Sequence, residues 1–178
     1  MDDSKKSASE ATSVRLLVTY MEMLNRPAGD ALPPPVEHVT VRPERPDAAT
    51  FLRLYRAVGD PLRWDQRSRM PATDLDRFLA SPSTGLFILR LDGRALGLCE
   101  FDRIDTSDVE LTHFGLVPEA YGRKLGPYLL DSALRTVWDR GPERIWLHTD
   151  EWDHPKAQDV YRRTGFSVFA EKLEVIEP

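Results

Sequence analysis

The sequence predicts an α/β (α+β) fold built on a mixed, mostly antiparallel sheet, and three observations carry that expectation. Asp92-Gly93 sits between two apolar runs, 85–91 and 94–101, the strongest short-range signal for an antiparallel hairpin. The run 109–117, rich in strand formers, stops at Pro118 and gives way, after a turn with two glycines, to helical periodicity. A further apolar strand, 144–149, follows that helix, and a helix crossover makes the two strands parallel.

Composition narrows the classes. A chain of 178 residues with 41% hydrophobic and 30% charged residues is long enough for a sizeable core and has the balance of a soluble globular protein. A net charge of −5, with no basic aromatic surface motif, disfavours nucleic acid as a partner. The single Cys99 lies in an apolar segment and reads as a small buried hydrophobe in a reducing compartment. No apolar run approaches the ~20 residues that span a bilayer, so no membrane partner is expected. The polar N-terminus leads into no signal-like apolar core, which makes cytoplasm the expected compartment.

Residues 1–12 are small and polar, and a disordered tail is expected there. Residues 13–178 are expected to form a single domain, with 13–35 as an extra N-terminal strand and a proline-rich loop. β-branched and aromatic residues at the centre of 14–24 favour strand over helix. Pro33-Pro34-Pro35 reads as an extended spacer that lets this strand pair beside the next, 37–42, which alternates cleanly. The extra strand is also a candidate for pairing across a homodimer. Asp47 is placed as N-cap of a helix burying Phe51, Leu54, Tyr55 and Val58. Thr73 is placed as cap of a second, short helix, with Asp76 three residues on and Leu75, Phe78 and Leu79 on its apolar face.

Between these helices, 62–70 interleaves Trp64 with Arg63, Arg67 and Arg69. Two readings stand: a substrate-facing wall that attracts carboxylates or stacks on a planar group, or a loop anchored by Trp64 with solvated arginines. The helix after the glycine turn is expected to present Leu125, Tyr128, Leu129, Ser132, Ala133, Thr136 and Val137 on one face. Its N-terminus turns free N–H groups and the positive dipole end toward the turn, making an anion site.

Two motifs carry a resemblance. Tyr121-x-x-Lys124-x-Gly126 resembles the Q/R-x-x-G-x-G/A signature of the GNAT superfamily of acyl-CoA-dependent N-acetyltransferases, with Gly122 fitting its longer form. Tyr121 stands where the family has Gln or Arg, and Lys124 at the middle glycine. Downstream, His154, Ala157, Tyr161, Gly165 and Phe166 are similar to N-x-x-A-x-x-x-Y-x-x-x-G-F, with His154 in place of Asn. Asp153 suits an N-cap there, Pro155 a first helical turn and Gly165 a C-terminal cap. The resemblance covers residues 36–176.

It implies the GNAT fold, a central mixed sheet with helices on both faces and a parallel strand pair splayed at the coenzyme A cleft. It implies acetyl-CoA as co-substrate, held by Leu116, Val117, Tyr121, Gly122, Arg123, Lys124, Leu125, Gly126, His154 and Ala157. Tyr161 is implied as general acid at the CoA sulfur. Glu110 is the first choice of base and Glu100, on the neighbouring strand, the second. Trp64, Arg67 and Phe114 are expected to face a small-molecule or peptide amine. By the period of two, Glu110, Thr112 and Phe114 share a face that His113 does not, so Glu110 and His113 are not expected to line one site. His148, His154 and Asp150 supply no strong ligand pattern, and no metal is expected. A bacterial source is implied by the resemblance alone. The alternative to an enzyme is a degenerate domain that binds acyl-CoA as a sensor or interaction module.

Overall fold

A computed structural model of the protein describes residues 13–176, and the expected tail at 1–12 lies outside the described residues. One sheet of seven strands runs in the order β2-β3-β4-β5-β6-β1-β7. The strands are β1 (Val14–Met23), β2 (Val39–Pro43), β3 (Gly85–Leu91), β4 (Arg94–Asp102), β5 (Asp108–Leu116), β6 (Arg144–Asp150) and β7 (Ser167–Ile176). The helices are α1 (Ala48–Gly59), α2 (Ala72–Ala80), α3 (Leu125–Trp138) and α4 (Ala157–Thr164). Every neighbouring pair is antiparallel except β5–β6.

The hairpin forms as its sequence requires. Asp92 and Gly93 take φ of 50° and 81°, the left-handed pair that a tight turn between twisted strands needs. Helices cover both faces of β4–β5. Paired Gly97 and Leu116 lie on one face, and a Cβ at Gly97 would meet Leu129 of α3 at 3.1 Å. Gly115, one residue on and so on the opposite face, would meet Val58 of α1 at 2.7 Å.

β1 is the main departure. It does not lie beside β2 but pairs with β6 on one side and β7 on the other. Both its edges are therefore occupied, which removes it as a strand for pairing across a dimer. The proline loop is long because it crosses α3 to reach the far side of the sheet. Asp131, buried in α3, accepts a hydrogen bond from the Leu32 N–H at 3.0 Å. Arg135, paired with Asp131 at 3.0 Å, donates to the carbonyls of Ala28 and Asp30. This strap also explains why Asp131 is buried while Thr136 is exposed, contrary to the expected helix face. Leu125, Leu129, Ala133 and Val137 of that face are buried as expected, and Leu130 and Leu134 join them because α3 lies across β2, β3, β4 and β5.

Two caps also differ. Asp47 caps α1 as expected, accepting from the Thr50 N–H at 2.7 Å. In α2, however, Pro71 occupies the cap position and its carbonyl starts the helix, so Thr73 lies inside it. α4 begins at Ala157 rather than after Asp153, which leaves Pro155 outside the helix. The Asp153 carboxylate is engaged elsewhere, accepting from the Thr149 hydroxyl at 2.6 Å. Gly165 closes α4 with φ 119°, as expected.

Candidate active site

β5 and β6 pair only from Asp108–Arg144 to Glu110–Trp146 and then separate. Each continues with another partner, β5 with β4 and β6 with β1. The gap between them opens toward two cavities, of about 500 and 350 Å³. Leu62, Phe114, Asp153 and Tyr161 border both. Tyr161 thus stands at the junction, its ring 5.8 Å from that of Phe114 and its residue only 6% exposed. Burial, reinforced by the Asp153 carboxylate, pushes its hydroxyl well above the usual tyrosine value. It keeps its proton at any physiological pH.

The larger cavity is bounded by the start of α3 and by α4. Tyr121, Gly122, Lys124, Leu125 and Gly126 line it, with Leu116 of β5 and His154 and Ala157 opposite. No side chain caps α3, so its first N–H groups are left to this cleft. Lys124 takes the left-handed cap conformation, φ 60°, which accounts for a glycine preference at this point of such a turn. A Cβ at Gly126 would meet only Leu116 and Phe114 at 3.8 Å, ordinary contact, so packing does not require glycine there. An absent side chain at a helix start leaves room for close approach of an anionic ligand. Tyr121 and His154, edge to face at 4.8 Å, pair across the rim. Two expected residues are elsewhere. Val117 is buried and gives its N–H to the Leu96 carbonyl at 2.8 Å, and Arg123 is exposed and does not border the cavity. Lys156 and Arg163 of the α4 side do border it, cations without a motif to flag them.

The smaller cavity is walled by the 62–70 segment, β5 and the end of β6. Trp64 both anchors its loop and lines the cavity. It sits where a Cβ on Gly59 would be 2.6 Å away, with its ring 4.7 Å from His113 and 5.6 Å from Tyr55. Phe114 lines it as expected. Arg67 does not. Its guanidinium turns inward to Glu100, Nη2 to Oε1 at 2.7 Å, over the face of Phe78 at 4.0 Å.

Glu100 is fully buried and saturated. Besides Arg67, its Oε1 accepts from the Thr112 hydroxyl at 2.5 Å and meets His113 Nδ1 at 3.0 Å. Burial works against its charge, yet the His113 and Arg67 partners hold the carboxyl down to about 2. A sealed carboxylate this acidic anchors the site and is unsuited to take a proton from substrate. His113 Nε2 is also engaged, 3.2 Å from the Tyr55 hydroxyl, itself pushed up to about 12 by burial. That hydroxyl accepts from the Arg67 N–H at 3.4 Å, so its proton is directed to His113.

Alternation along β5 is interrupted at Thr112. Glu100 pairs with His113 and Phe101 with Leu111, leaving Thr112 unpaired as a bulge. Thr112, His113 and Phe114 consequently all border the smaller cavity. Glu110 borders neither cavity. Half-buried, with its pKa raised by that burial, it lies 3.9 Å from Nε2 of His148, which does line the smaller one. Sequence reasoning missed His148, Asp150 and Trp152 as cavity walls, because only the splay of β6 from β5 turns them inward. Among the described residues no group of three or more His, Cys, Asp and Glu is placed to hold a metal, and no helix is long and apolar enough to cross a membrane.

Comparisons with known proteins bear on this geometry. The acetyltransferase (GNAT) family model matches residues 51–166. An uncharacterized N-acetyltransferase of Mycobacterium tuberculosis is 33% identical over 91 residues, covering 51% of this chain and 58% of that protein. A mycothiol acetyltransferase of Thermomonospora curvata is 29% identical over 163 residues, 86% of this chain and 53% of that one. The matches therefore span little more than half the length of these relatives. In fold, the chain is similar to a GCN5-related N-acetyltransferase from Sphaerobacter thermophilus, with TM-score 0.63, 20% identity, and 92% and 52% of the two chains covered. It is also similar to an aminoglycoside acetyltransferase from a soil metagenomic sample, solved with sisomicin, with TM-score 0.60, 15% identity, and 71% and 87% covered.

Proposed function

The chain belongs to the acetyltransferase (GNAT) family, and on that premise we propose that it transfers the acetyl group of acetyl-CoA directly to a primary amine in a ternary complex. The observation that carries this reading is the position of Tyr161, whose residue borders both cavities at their junction. The larger cavity fits coenzyme A, because the uncapped start of α3, the bare Gly126 and the Lys124, Lys156 and Arg163 cations suit a pyrophosphate. The smaller cavity takes the amine.

Acetyl-CoA, when bound, supplies the activated thioester. Tyr161 holds a proton at the junction and serves as general acid to the departing sulfur. Positioning the two substrates on either side of it provides a further share of the acceleration. Glu110 remains the basic group of this reading, but it acts through His148, which lines the acceptor cavity and stands 3.9 Å from it. Glu100 holds Arg67, Thr112 and His113 in place beneath that cavity.

The test is incubation with acetyl-CoA, a panel of amines that includes aminoglycosides, and a thiol reagent. Thiol release is expected with at least one amine. Tyr161→Phe should lower turnover ~10²-fold with little change in CoA affinity. Glu110→Gln should move the acid limb of the kcat/KM–pH profile to lower pH, and an unmoved limb removes Glu110 from the proton path. Tight CoA binding without thiol release for any amine would replace this reading by that of an acyl-CoA sensor.

A further inference from the structure

We propose that the acceptor is an amine that also carries a carboxylate, and that Arg63 is the residue that reads it. The inference rests on the acetyltransferase reading and goes on to name the class of acceptor.

The smaller cavity holds both signs of charge, but its carboxylates are already engaged. Asp65 pairs with Arg69 at 2.9 Å. Asp150 accepts from the Trp152 N–H at 2.8 Å, and Asp153 from the Thr149 hydroxyl at 2.6 Å. Arg63 borders the same cavity and, among the described residues, has no carboxylate partner and makes no side-chain hydrogen bond. An arginine that stays unpaired with three aspartates around the same cavity is left free to bind an anion.

Its placement is specified twice over. Arg63 takes φ 60°, a left-handed conformation that costs a non-glycine residue free energy and persists only where surrounding contacts hold it. The contacts are the Arg63 N–H on the Asp60 carbonyl at 3.2 Å and the Trp64 N–H on the Gly59 carbonyl at 3.0 Å, with Trp64 wedged against Gly59. The guanidinium then lies 5.1 Å over the ring of Trp152, on the far wall. This cation–π contact takes none of the guanidinium N–H groups, and a carboxylate matches two of them with parallel hydrogen bonds. His148, through which the amine is deprotonated in this reading, and Tyr161, the acid at the sulfur, border the same cavity. One small molecule with an amino group and a carboxylate spans these groups; a simple amine or a polyamine leaves Arg63 unanswered.

The experiment uses the full chain, acetyl-CoA, and amines each supplied as the free acid and as the matching carboxamide, with the glycine dipeptide and its amide as one pair. The native protein should show kcat/KM at least ~10-fold higher for the acids, the range of a charge-assisted hydrogen bond. Arg63→Gln should bring the acid's value down to that of the amide, and Arg63→Lys should restore part of the preference. Unchanged melting temperature and CoA binding in Arg63→Gln exclude misfolding as the cause. Equal use of acids and amides by the native protein, or a preference that survives Arg63→Gln, overturns the proposal. If no amine supports thiol release, the catalytic reading fails, and a thermal-shift arm with the same acids and amides decides the binding claim alone: stabilisation by acids only, lost in Arg63→Gln, supports it, and equal or no stabilisation overturns it.

Discussion

The cavity at the start of α3 is walled mainly by two continuous stretches, 114–127 and 153–163, through backbone and small residues such as Gly126 and Ala157. The cavity on the other side of Tyr161 is walled by side chains from the 62–69 loop, a bulged strand and the splayed end of β6, and it rests on the buried Glu100 cluster. The difference has an energetic consequence. On the first side the start of α3 has no side-chain cap and Gly126 has room beside it, so a change there should register in binding rather than in stability. On the second the walls are also core, so a change there should register first in stability.

The largest expected effect lies in the Glu100 cluster. Glu100→Ala leaves the Arg67 guanidinium without its partner at a half-buried site and should cost about 3–5 kcal/mol, read by chemical denaturation. The pH dependence has a definite sign. The carboxyl is held down to about 2 in the folded chain, below its unfolded value, so its stabilisation is complete above about pH 4.5 and is lost as pH falls toward 2. That loss amounts to about 3 kcal/mol in the native protein and should vanish in Glu100→Gln. A flat acid limb in the native protein would mean that the cluster is not the support of the acceptor cavity.

A pair of glycines offers the middle-sized test. Gly59→Ala puts a Cβ 2.6 Å from Trp64 and should destabilise by about 1–3 kcal/mol while displacing a wall of the acceptor cavity. Gly126→Ala meets nothing nearer than 3.8 Å and should leave the melting temperature unchanged or slightly higher, while CoA affinity, measured by calorimetry, falls ~10-fold. Equal effects of the two on stability would erase the contrast between the cavities. The smallest effect is expected of Lys124→Gly. It relieves a left-handed non-glycine residue, φ 60°, and removes one exposed cation from the CoA side. CoA binding should persist with a shallower dependence on salt, and an unmoved slope would mean that Lys124 points into water.

How far each cavity was legible follows from the same contrast. The cavity at the start of α3 lies mainly within two stretches of chain, where local spacing sets geometry: a glycine turn before a helix, and Ala157 and Tyr161 one helical turn apart. Spacing does not say that the Val117 amide is taken by Leu96 of the neighbouring strand, nor that Arg123 lies exposed outside the cavity lining. On the second side the period of two sets Glu110 apart from His113, and Glu110 borders neither cavity; what spacing does not show is the unpaired Thr112, at which Thr112, His113 and Phe114 come to line one cavity together. Arg67 reads from the sequence as facing the acceptor, but the fold brings Glu100, 33 residues away, beneath it and turns it inward.

The sequence by itself determined the element order, the hairpin at Asp92-Gly93, the glycine turn before α3 and the register of Tyr161 with Ala157, because each depends on residues close along the chain. Only the tertiary structure decided that β1 inserts between β6 and β7 rather than beside β2. It also decided that Glu100 is buried and paired with Arg67, Thr112 and His113, and that His148 and Arg63 share a cavity with Tyr161. Those outcomes turn on which distant groups meet and on how much water is excluded where they do, and neither quantity is carried by local periodicity.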